Sequence, residues 1–164
     1  MQFVKSFMIC AFLLFVTVIH GQGIGKVKIT ELEKTIRESK RPMIINFWAT
    51  FCVPCVEEIP YFQSAVKAHA RDSILLILVS LDLEDYYPAK IKNFATKKKI
   101  LAPIVWLDEY NADYFCPKVD SSWSGAIPAS LFINNKTGYR KFFEEQLSKE
   151  KLAKEITMLI SKPG

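Results

Sequence analysis

The chain has 164 residues, of which 50% are hydrophobic and 13% are aromatic, which suits one domain with its own core. This composition excludes an intrinsically disordered chain. The formal net charge is +5 at pH 7, yet outside the run Lys97–Lys99 the basic residues are scattered along the sequence. Nucleic-acid binding favours a basic stripe with interleaved aromatic residues, and the sequence has no such stripe. We therefore expect no nucleic-acid partner.

The first 23 residues differ from the rest. Lys5 is the only charged residue before Lys26, and the stretch Phe7–Ile19 is almost wholly apolar. A basic start, a short apolar segment and small residues after it are typical of a secretory signal peptide. As a helix this stretch would span ~20 Å, less than the ~30 Å of a bilayer core. We therefore predict a cleaved signal peptide at 1–23, with an uncleaved anchor as the alternative, and one exported domain at 24–164.

The remaining hydrophobic pattern predicts alternating strands and helices. Two continuous apolar runs, Pro42–Trp48 and Ser73–Leu81, are typical of strands buried on both faces. Further strands are predicted at 24–29 and 102–107, a hairpin at 129–134 and 139–143, and helices at 30–40, 54–70, 88–99 and 148–161. This order predicts an α/β fold in which a central mixed sheet carries helices on both faces.

Three further predictions concern two helix starts and the segment between the strand at 102–107 and the hairpin. Thr30 is expected to cap the first helix, because Glu33 follows at capping-box spacing. The segment 108–115 is expected to hold a short helix ahead of a loop at 120–125. Ser148 is expected to cap the last helix.

Cys52 and Cys55 lie where a buried strand gives way to a helix. The unpaired N–H groups and the dipole of a helix N-terminus stabilise a thiolate, which makes Cys52 the expected nucleophile. Cys55 follows three residues later on the same helix face, within reach of a mixed disulfide on Cys52. Pro54 suits the first helical turn, where it has no N–H to leave unpaired. A disulfide closing so small a loop adds little stability, which favours a redox role.

A zinc site is the alternative use of these thiols. Zinc prefers four Cys or His ligands, and beyond the signal peptide the chain offers Cys52, Cys55, Cys116 and His69. His69 would lie more than ~15 Å from the cysteine pair along the helix. We therefore expect no metal and no organic cofactor besides the redox-active disulfide. Cys116 is expected to be a buried small side chain, with a third redox thiol as the alternative.

The segment 47–60, F-W-A-T-F-C-V-P-C-V-E-E-I-P, resembles the thioredoxin superfamily. Within that superfamily it is similar to the TlpA/ResA/DsbE-like exported thiol–disulfide oxidoreductases, and the resemblance covers roughly residues 27–162. Phe51 replaces a usual tryptophan, and Asn46 stands where cytoplasmic thioredoxins carry a buried aspartate. The resemblance implies a thioredoxin-like fold, and it implies that Glu58 manages the proton near Cys55.

The resemblance also implies a substrate-binding surface. In this superfamily a cis-proline before a core strand faces the disulfide, and the backbone before it pairs with substrate as an added strand. Ile127 and Pro128 occupy that position, although Ala129-Ser130 replaces the threonines frequent in the group. Trp48 and Pro54 are expected to complete this surface, with Trp48 mainly packing beneath the site and shielding it.

Together these features predict a monomeric, exported thiol–disulfide oxidoreductase that contributes to redox homeostasis. The family implies reduction of protein disulfides in the periplasm or another extracytoplasmic compartment of the cell envelope, for example in cytochrome c maturation. A membrane electron donor would then restore the dithiol. Three alternatives remain open: an oxidase or isomerase on the same scaffold, a peroxiredoxin-like peroxidase, and a non-enzymatic thioredoxin-like binding module.

Overall fold

A computed structural model describes residues 23–161, so the predicted signal peptide lies outside the described residues except for Gly23. None of the helices in 23–161 is long and apolar enough to span a bilayer. The elements follow in the order β1 Gly25–Val27, α1 Ile29–Glu38, β2 Met43–Trp48, α2 Val53–Ala68, β3 Leu75–Ser80, α3 Ala89–Lys97, β4 Ile104–Leu107, α4 Ala112–Val119, β5 Ala129–Asn134, β6 Tyr139–Phe143 and α5 Lys149–Ile160, with short 3₁₀ turns at Ala70–Asp72 and Glu84–Tyr86.

The six strands form one sheet in the order β1-β4-β3-β2-β5-β6. The first four strands in this order are parallel, whereas β5 pairs antiparallel with both β2 and β6. All six residues of β2 are buried, because the strand is central and both of its faces are covered. The predicted mixed sheet, its edge strand β1 and the C-terminal hairpin are confirmed.

Helices cover both faces of the sheet, as predicted. Side chains of β2 alternate between the faces: Ile44 and Trp48 belong to one apolar cluster, and Ile45 and Phe47 to the other. The first cluster is completed by helices α2, α3 and α5, and the second by α1 and α4. Two cores of this kind are what a thioredoxin-like fold requires.

The start of α1 and the position of α4 differ from the sequence predictions. Helix α1 begins at Ile29, and its first turn is closed by Glu31, whose Oε2 accepts from the Lys28 N–H at 2.8 Å. Thr30 is therefore not the cap. The helix starts one residue earlier, at Ile29, whose side chain is fully buried. Helix α4 starts later than predicted because Asn111 caps it, with its side chain accepting from the backbone of Asp113 at 3.0 Å.

The parallel strands bring their C-terminal ends to one edge of the sheet. The turns that follow β2, β3 and β4 therefore lie close together, and the segment 120–128 joins them because Ala129 pairs with Phe47 near the end of β2. Such an edge is where α/β folds place their functional groups. We call this end of the sheet the disulfide end, because Cys52 lies in the turn that follows β2 there.

Candidate active site

Cys52 and Cys55 form a disulfide, with 5.3 Å between their Cα atoms. Cys52 is the N-cap of α2, and Pro54 occupies the first turn. The Cys52 N–H donates to the carbonyl of Ala49 at 3.1 Å, which closes the turn between β2 and α2. The disulfide thus lies at a helix N-terminus, where the free N–H groups and the helix dipole favour a thiolate on Cys52.

The two sulfurs differ in their access to solvent. Cys52 is 8% exposed, whereas Cys55 is completely buried. On either side of Cys52 the side chains of Phe51 and Val53 are 65% and 66% exposed. An incoming thiolate or disulfide can therefore reach only Cys52, and it must cross the exposed apolar rim formed by Phe51 and Val53.

Glu58 lies one helical turn beyond Cys55 and is fully buried. Its carboxylate accepts two hydrogen bonds, from the Asn46 amide at 2.8 Å and from the Leu147 N–H at 2.8 Å. The Asn46 amide also donates to the Ser130 hydroxyl at 3.0 Å. Positions i and i+3 of a helix share a face, so the carboxyl lies on the same side of α2 as Cys55.

Burial raises the pKa of the Glu58 carboxyl from 4.5 to about 7, and the hydrogen bonds from Leu147 and Asn46 oppose this shift without cancelling it. A carboxyl with a pKa near neutrality can both take up and release a proton at physiological pH. Both the pKa of Glu58 and its place on the Cys55 face of α2 agree with the role that the resemblance implies for it.

Asp82 holds the turn that leads into the disulfide. Its buried carboxylate accepts from the Thr50 N–H at 3.0 Å, from the Thr50 hydroxyl at 2.6 Å and from the Ser80 hydroxyl at 2.7 Å. Asp82 was not predicted from the sequence. Its position directly after β3, beside the end of β2, is a signal that could have found it.

Ile127 and Pro128 lie at the disulfide end, joined by a cis peptide bond as predicted. Pro128 is buried and Ile127 is half-buried. The residue before them is held on both sides: the Ala126 N–H donates to Glu144 at 2.9 Å, and the Trp123 indole donates to the Ala126 carbonyl at 2.9 Å. Within residues 23–161, no hydrogen bond engages the backbone of Ile127.

Glu144 was also not identified from the sequence, and no local signal there points to it. Besides Ala126 it accepts from the Ser124 N–H at 3.1 Å. Burial alone would raise the pKa of this carboxyl, but the hydrogen bonds from Ser124 and Ala126 outweigh burial and hold the pKa below its usual value. The segment before Pro128 is therefore anchored to an ionised carboxylate.

The remaining predicted residues lie around the site. Trp48 is fully buried and packs against Phe94, with 6.0 Å between the ring centroids, so it supports the site from beneath. Pro54 is half-buried, and its carbonyl accepts from the Gln146 amide at 3.1 Å. Cys116 is buried in the other core, and burial raises the pKa of its thiol to about 11, which makes it a poor nucleophile.

No group of three or more potential metal ligands occurs within 23–161. His69 instead lies at the far end of α2, where it contacts Asp72 at 3.0 Å. Cys52 and Cys55 therefore have no third ligand from that histidine.

Comparison with known proteins identifies relatives that share this fold and motif. The chain is 37% identical over 96 residues to sporulation thiol-disulfide oxidoreductase A of Bacillus subtilis, covering 57% of this chain and 53% of that protein. It is 28% identical to thiol-disulfide oxidoreductase ResA of Bacillus thuringiensis, covering 51% of this chain and 49% of ResA. The chain thus spans about half the length of these curated relatives.

Solved structures extend the likeness over most of the domain. A thioredoxin-related protein from Neisseria meningitidis serogroup B superposes with a TM-score of 0.63 at 26% identity, over 76% of this chain and 88% of that one. StoA from Bacillus subtilis superposes with a TM-score of 0.54 at 27% identity, over 74% of this chain and 86% of that one. These neighbours confirm the thioredoxin-like fold and the resemblance to the ResA group. The profile of the AhpC/TSA family matches residues 18–138, and the chain belongs to that family.

Proposed function

We propose that this protein is a thiol–disulfide oxidoreductase that reduces protein disulfides through Cys52 and Cys55. The observation that carries the proposal is the difference in exposure between the two cysteines of the disulfide. Cys52 is 8% exposed at a helix N-terminus, and Cys55 is fully buried on the helix face that also carries Glu58. The names of the relatives support the same chemistry.

The reaction proceeds in two balanced exchanges. In the reduced protein, the Cys52 thiolate attacks one sulfur of a substrate disulfide; the substrate S–S bond breaks, a Cys52–substrate disulfide forms, and a substrate thiolate leaves. Glu58 then accepts the proton of the Cys55 thiol. The Cys55 thiolate attacks Cys52, the mixed disulfide breaks, and the second substrate thiolate leaves. Two electrons have passed to the substrate, and Cys52–Cys55 is oxidised.

The substrate would bind across the apolar rim and along the segment before Pro128. The unengaged backbone of Ile127 offers an N–H and a carbonyl to an extended substrate chain, as in strand addition. Pro54 borders the same surface. Binding by backbone pairing accommodates varied sequences, which suits a reductase of several protein disulfides.

The cellular setting is part of the proposal. The apolar N-terminal sequence supports export to the periplasm or another extracytoplasmic site, either released or tethered. There the oxidised pair would need a membrane electron donor, and the disulfide of an apocytochrome c is one class of substrate. We further propose a monomer that uses no organic cofactor.

Two measurements test the proposal together. The reduction potential of Cys52–Cys55 is determined by equilibration with thiol buffers, and a value near or below about −270 mV is expected for a reductase. Cys55→Ser should accumulate a mixed disulfide with a disulfide-bonded test protein, because Cys52 attacks but nothing resolves the product. Cys116→Ser is the matched control and should turn over normally.

The outcomes separate the alternatives. A potential near about −120 mV would contradict the reductase direction and identify a disulfide donor or isomerase. Rapid oxidation of the dithiol by hydroperoxide, without exchange with protein disulfides, would identify a peroxidase. Failure of Cys55→Ser to trap any protein, together with no reaction of the dithiol with hydroperoxide, would leave only the binding module.

A further inference from the structure

The two ends of the sheet carry opposite charge. The end opposite the disulfide is built from the segments 37–42, 67–74, 97–103 and 135–138, which hold nine Lys or Arg and two acidic residues. We call it the basic end. At the disulfide end, residue 28 and the segments 81–88, 108–111, 120–128 and 144–148 hold eight acidic residues and one Lys. Charges that are scattered in the sequence are thus separated by the fold, with basic residues at one end of the sheet and acidic residues at the other.

The cations of the basic end are free to meet a partner. All nine side chains are exposed. Within the described part of the chain, only Arg37 among them forms an ion pair, a 4.0 Å contact to the exposed Glu38. The other cations are not neutralised by nearby carboxylates, so their combined field acts outward and favours a polyanionic surface.

An apolar side chain projects from the same end. Leu101, two residues after the run Lys97–Lys99, is 77% exposed. The loop that presents it is tied to α2, because Gln63 accepts hydrogen bonds from the N–H groups of Leu101 and Ala102, the latter at 3.0 Å. Beside it an apolar groove of about 520 Å³ runs between the loop and α2, lined by Val66 and Ile74 among others.

The apolar N-terminal sequence joins the domain at this end. Strand β1 runs parallel to β4 with Gly25 opposite Val105, so the chain enters β1 at the end of the sheet where β4 starts, three residues after Leu101. The apolar stretch Phe7–Ile19 ends only a few residues before Gly23 in the sequence. The basic end therefore combines positive charge, an exposed leucine and the junction with an apolar segment.

We propose that the basic end is a docking surface for an anionic phospholipid membrane, with Leu101 at the boundary of the headgroups and the acyl chains. Lys and Arg clusters next to an apolar segment are attracted to anionic lipids, and a neighbouring apolar side chain adds shallow insertion. The field falls off within a Debye length, so contact must be close. This proposal does not rest on the proposed redox activity.

Docking in this way sets the orientation of the disulfide. The six residues of β2 separate the two ends, which is about 20 Å at 3.3 Å per residue. Cys52 therefore faces away from the bilayer, where it meets partners whose reactive cysteines also stand clear of the membrane. A membrane electron donor would have to present its thiols on a domain above the lipid surface.

Tryptophan quenching by brominated lipids tests the proposal on the full chain reconstituted into vesicles. Leu101→Trp adds a reporter at the basic end, and Tyr110→Trp, at a residue 70% exposed on the disulfide end, is the matched control. The native tryptophans are at most 5% exposed and contribute a constant background. With brominated phosphatidylglycerol we expect at least threefold stronger quenching for Leu101→Trp than for Tyr110→Trp. Zwitterionic brominated lipid should abolish this difference.

A second variant links the quenching to charge. Replacing Lys97, Lys98 and Lys99 by Gln in the Leu101→Trp background should remove the excess quenching, as should 0.5 M salt. Equal quenching at both reporters, or none at Leu101→Trp in anionic vesicles, would overturn the proposal. In that case the basic end would be left to an acidic protein or nucleic acid.

Discussion

Replacing Glu58 by Gln should change how the stability of the oxidised protein depends on pH. The Glu58 carboxyl is fully buried, and burial raises its pKa from 4.5 to about 7. Between these values the folded protein holds a proton that the unfolded chain has released. The folded state then binds more protons than the unfolded state, so the free energy of unfolding falls as the pH rises through this window.

The magnitude follows from the two pKa values. A pKa displaced from 4.5 to about 7 corresponds to about 3 kcal/mol of stability lost in full above the folded pKa. Between pH 5 and pH 8 the loss amounts to about 2 to 3 kcal/mol, because a fraction has already been lost at pH 5. Glu58→Gln has no proton to lose and should show none of this component.

The assay is urea unfolding of both proteins at several pH values, with the disulfide intact. Subtracting the two free energies cancels every other titrating group, such as Glu155, whose pKa burial also raises. Glu57→Gln is the matched control, because Glu57 is the exposed neighbour on the same helix and its replacement should leave the pH dependence unchanged.

Parallel pH profiles for the wild type and Glu58→Gln would refute this reasoning. Such a result would mean that Glu58 ionises at an ordinary pKa, and a carboxylate of that kind could not receive the proton of Cys55 efficiently near neutral pH. A profile for Glu58→Gln that falls more steeply than the wild type would have the wrong sign altogether.

Three further predictions concern the supports of the site and the core. Glu144→Gln should raise KM for a protein disulfide severalfold with kcat retained, because the segment before Pro128 loses an ionised anchor; an equal fall in kcat and kcat/KM would contradict this. Asp82→Ala should cost about 1–3 kcal/mol in urea unfolding by leaving the Thr50 and Ser80 donors unpaired, whereas the exposed Asp85→Ala should stay within about 0.5 kcal/mol. Leu78→Ala, at a fully buried position, should cost about 2–5 kcal/mol, and a smaller loss would mean that the core collapses around the cavity.

The reactive pair could be predicted from sequence because its environment is local. A buried apolar run, a turn and a helix start are all encoded within residues 42–60, and the placement of Cys52 and Cys55 follows from them. The structure agrees on the strand, the helix and the disulfide. Element boundaries were less predictable where burial outweighed a capping signal, as at Ile29.

The surroundings of Glu58 could not be predicted, because they depend on contacts far apart in the chain. Ser130 lies beside Asn46 only because β5 pairs with β2 in one register, with Asn46 opposite Ser130. The Leu147 N–H reaches Glu58 across 89 residues of sequence. No periodicity or motif encodes such pairs.

The charge distribution escaped prediction for a topological reason. Each helix that follows a strand returns the chain to the same end of the sheet, so segments far apart in sequence become neighbours. Lys40, Arg71 and Lys98 appear scattered in the sequence, yet all three lie between a helix and the next strand at the basic end.

Asn46 accounts for how a buried carboxyl can change protonation without losing its partners. Its amide nitrogen donates to the Glu58 carboxylate, while its oxygen has no hydrogen-bond partner within the described residues. A protonated Glu58 is itself a donor and needs an acceptor. Rotation of the Asn46 amide would present that oxygen, so one neutral side chain serves both protonation states. An aspartate at position 46 would instead place a second carboxyl beside Glu58, and like charges at one buried site disfavour ionisation of both. Asparagine therefore keeps the pKa of Glu58 near neutrality, where a proton can move in either direction.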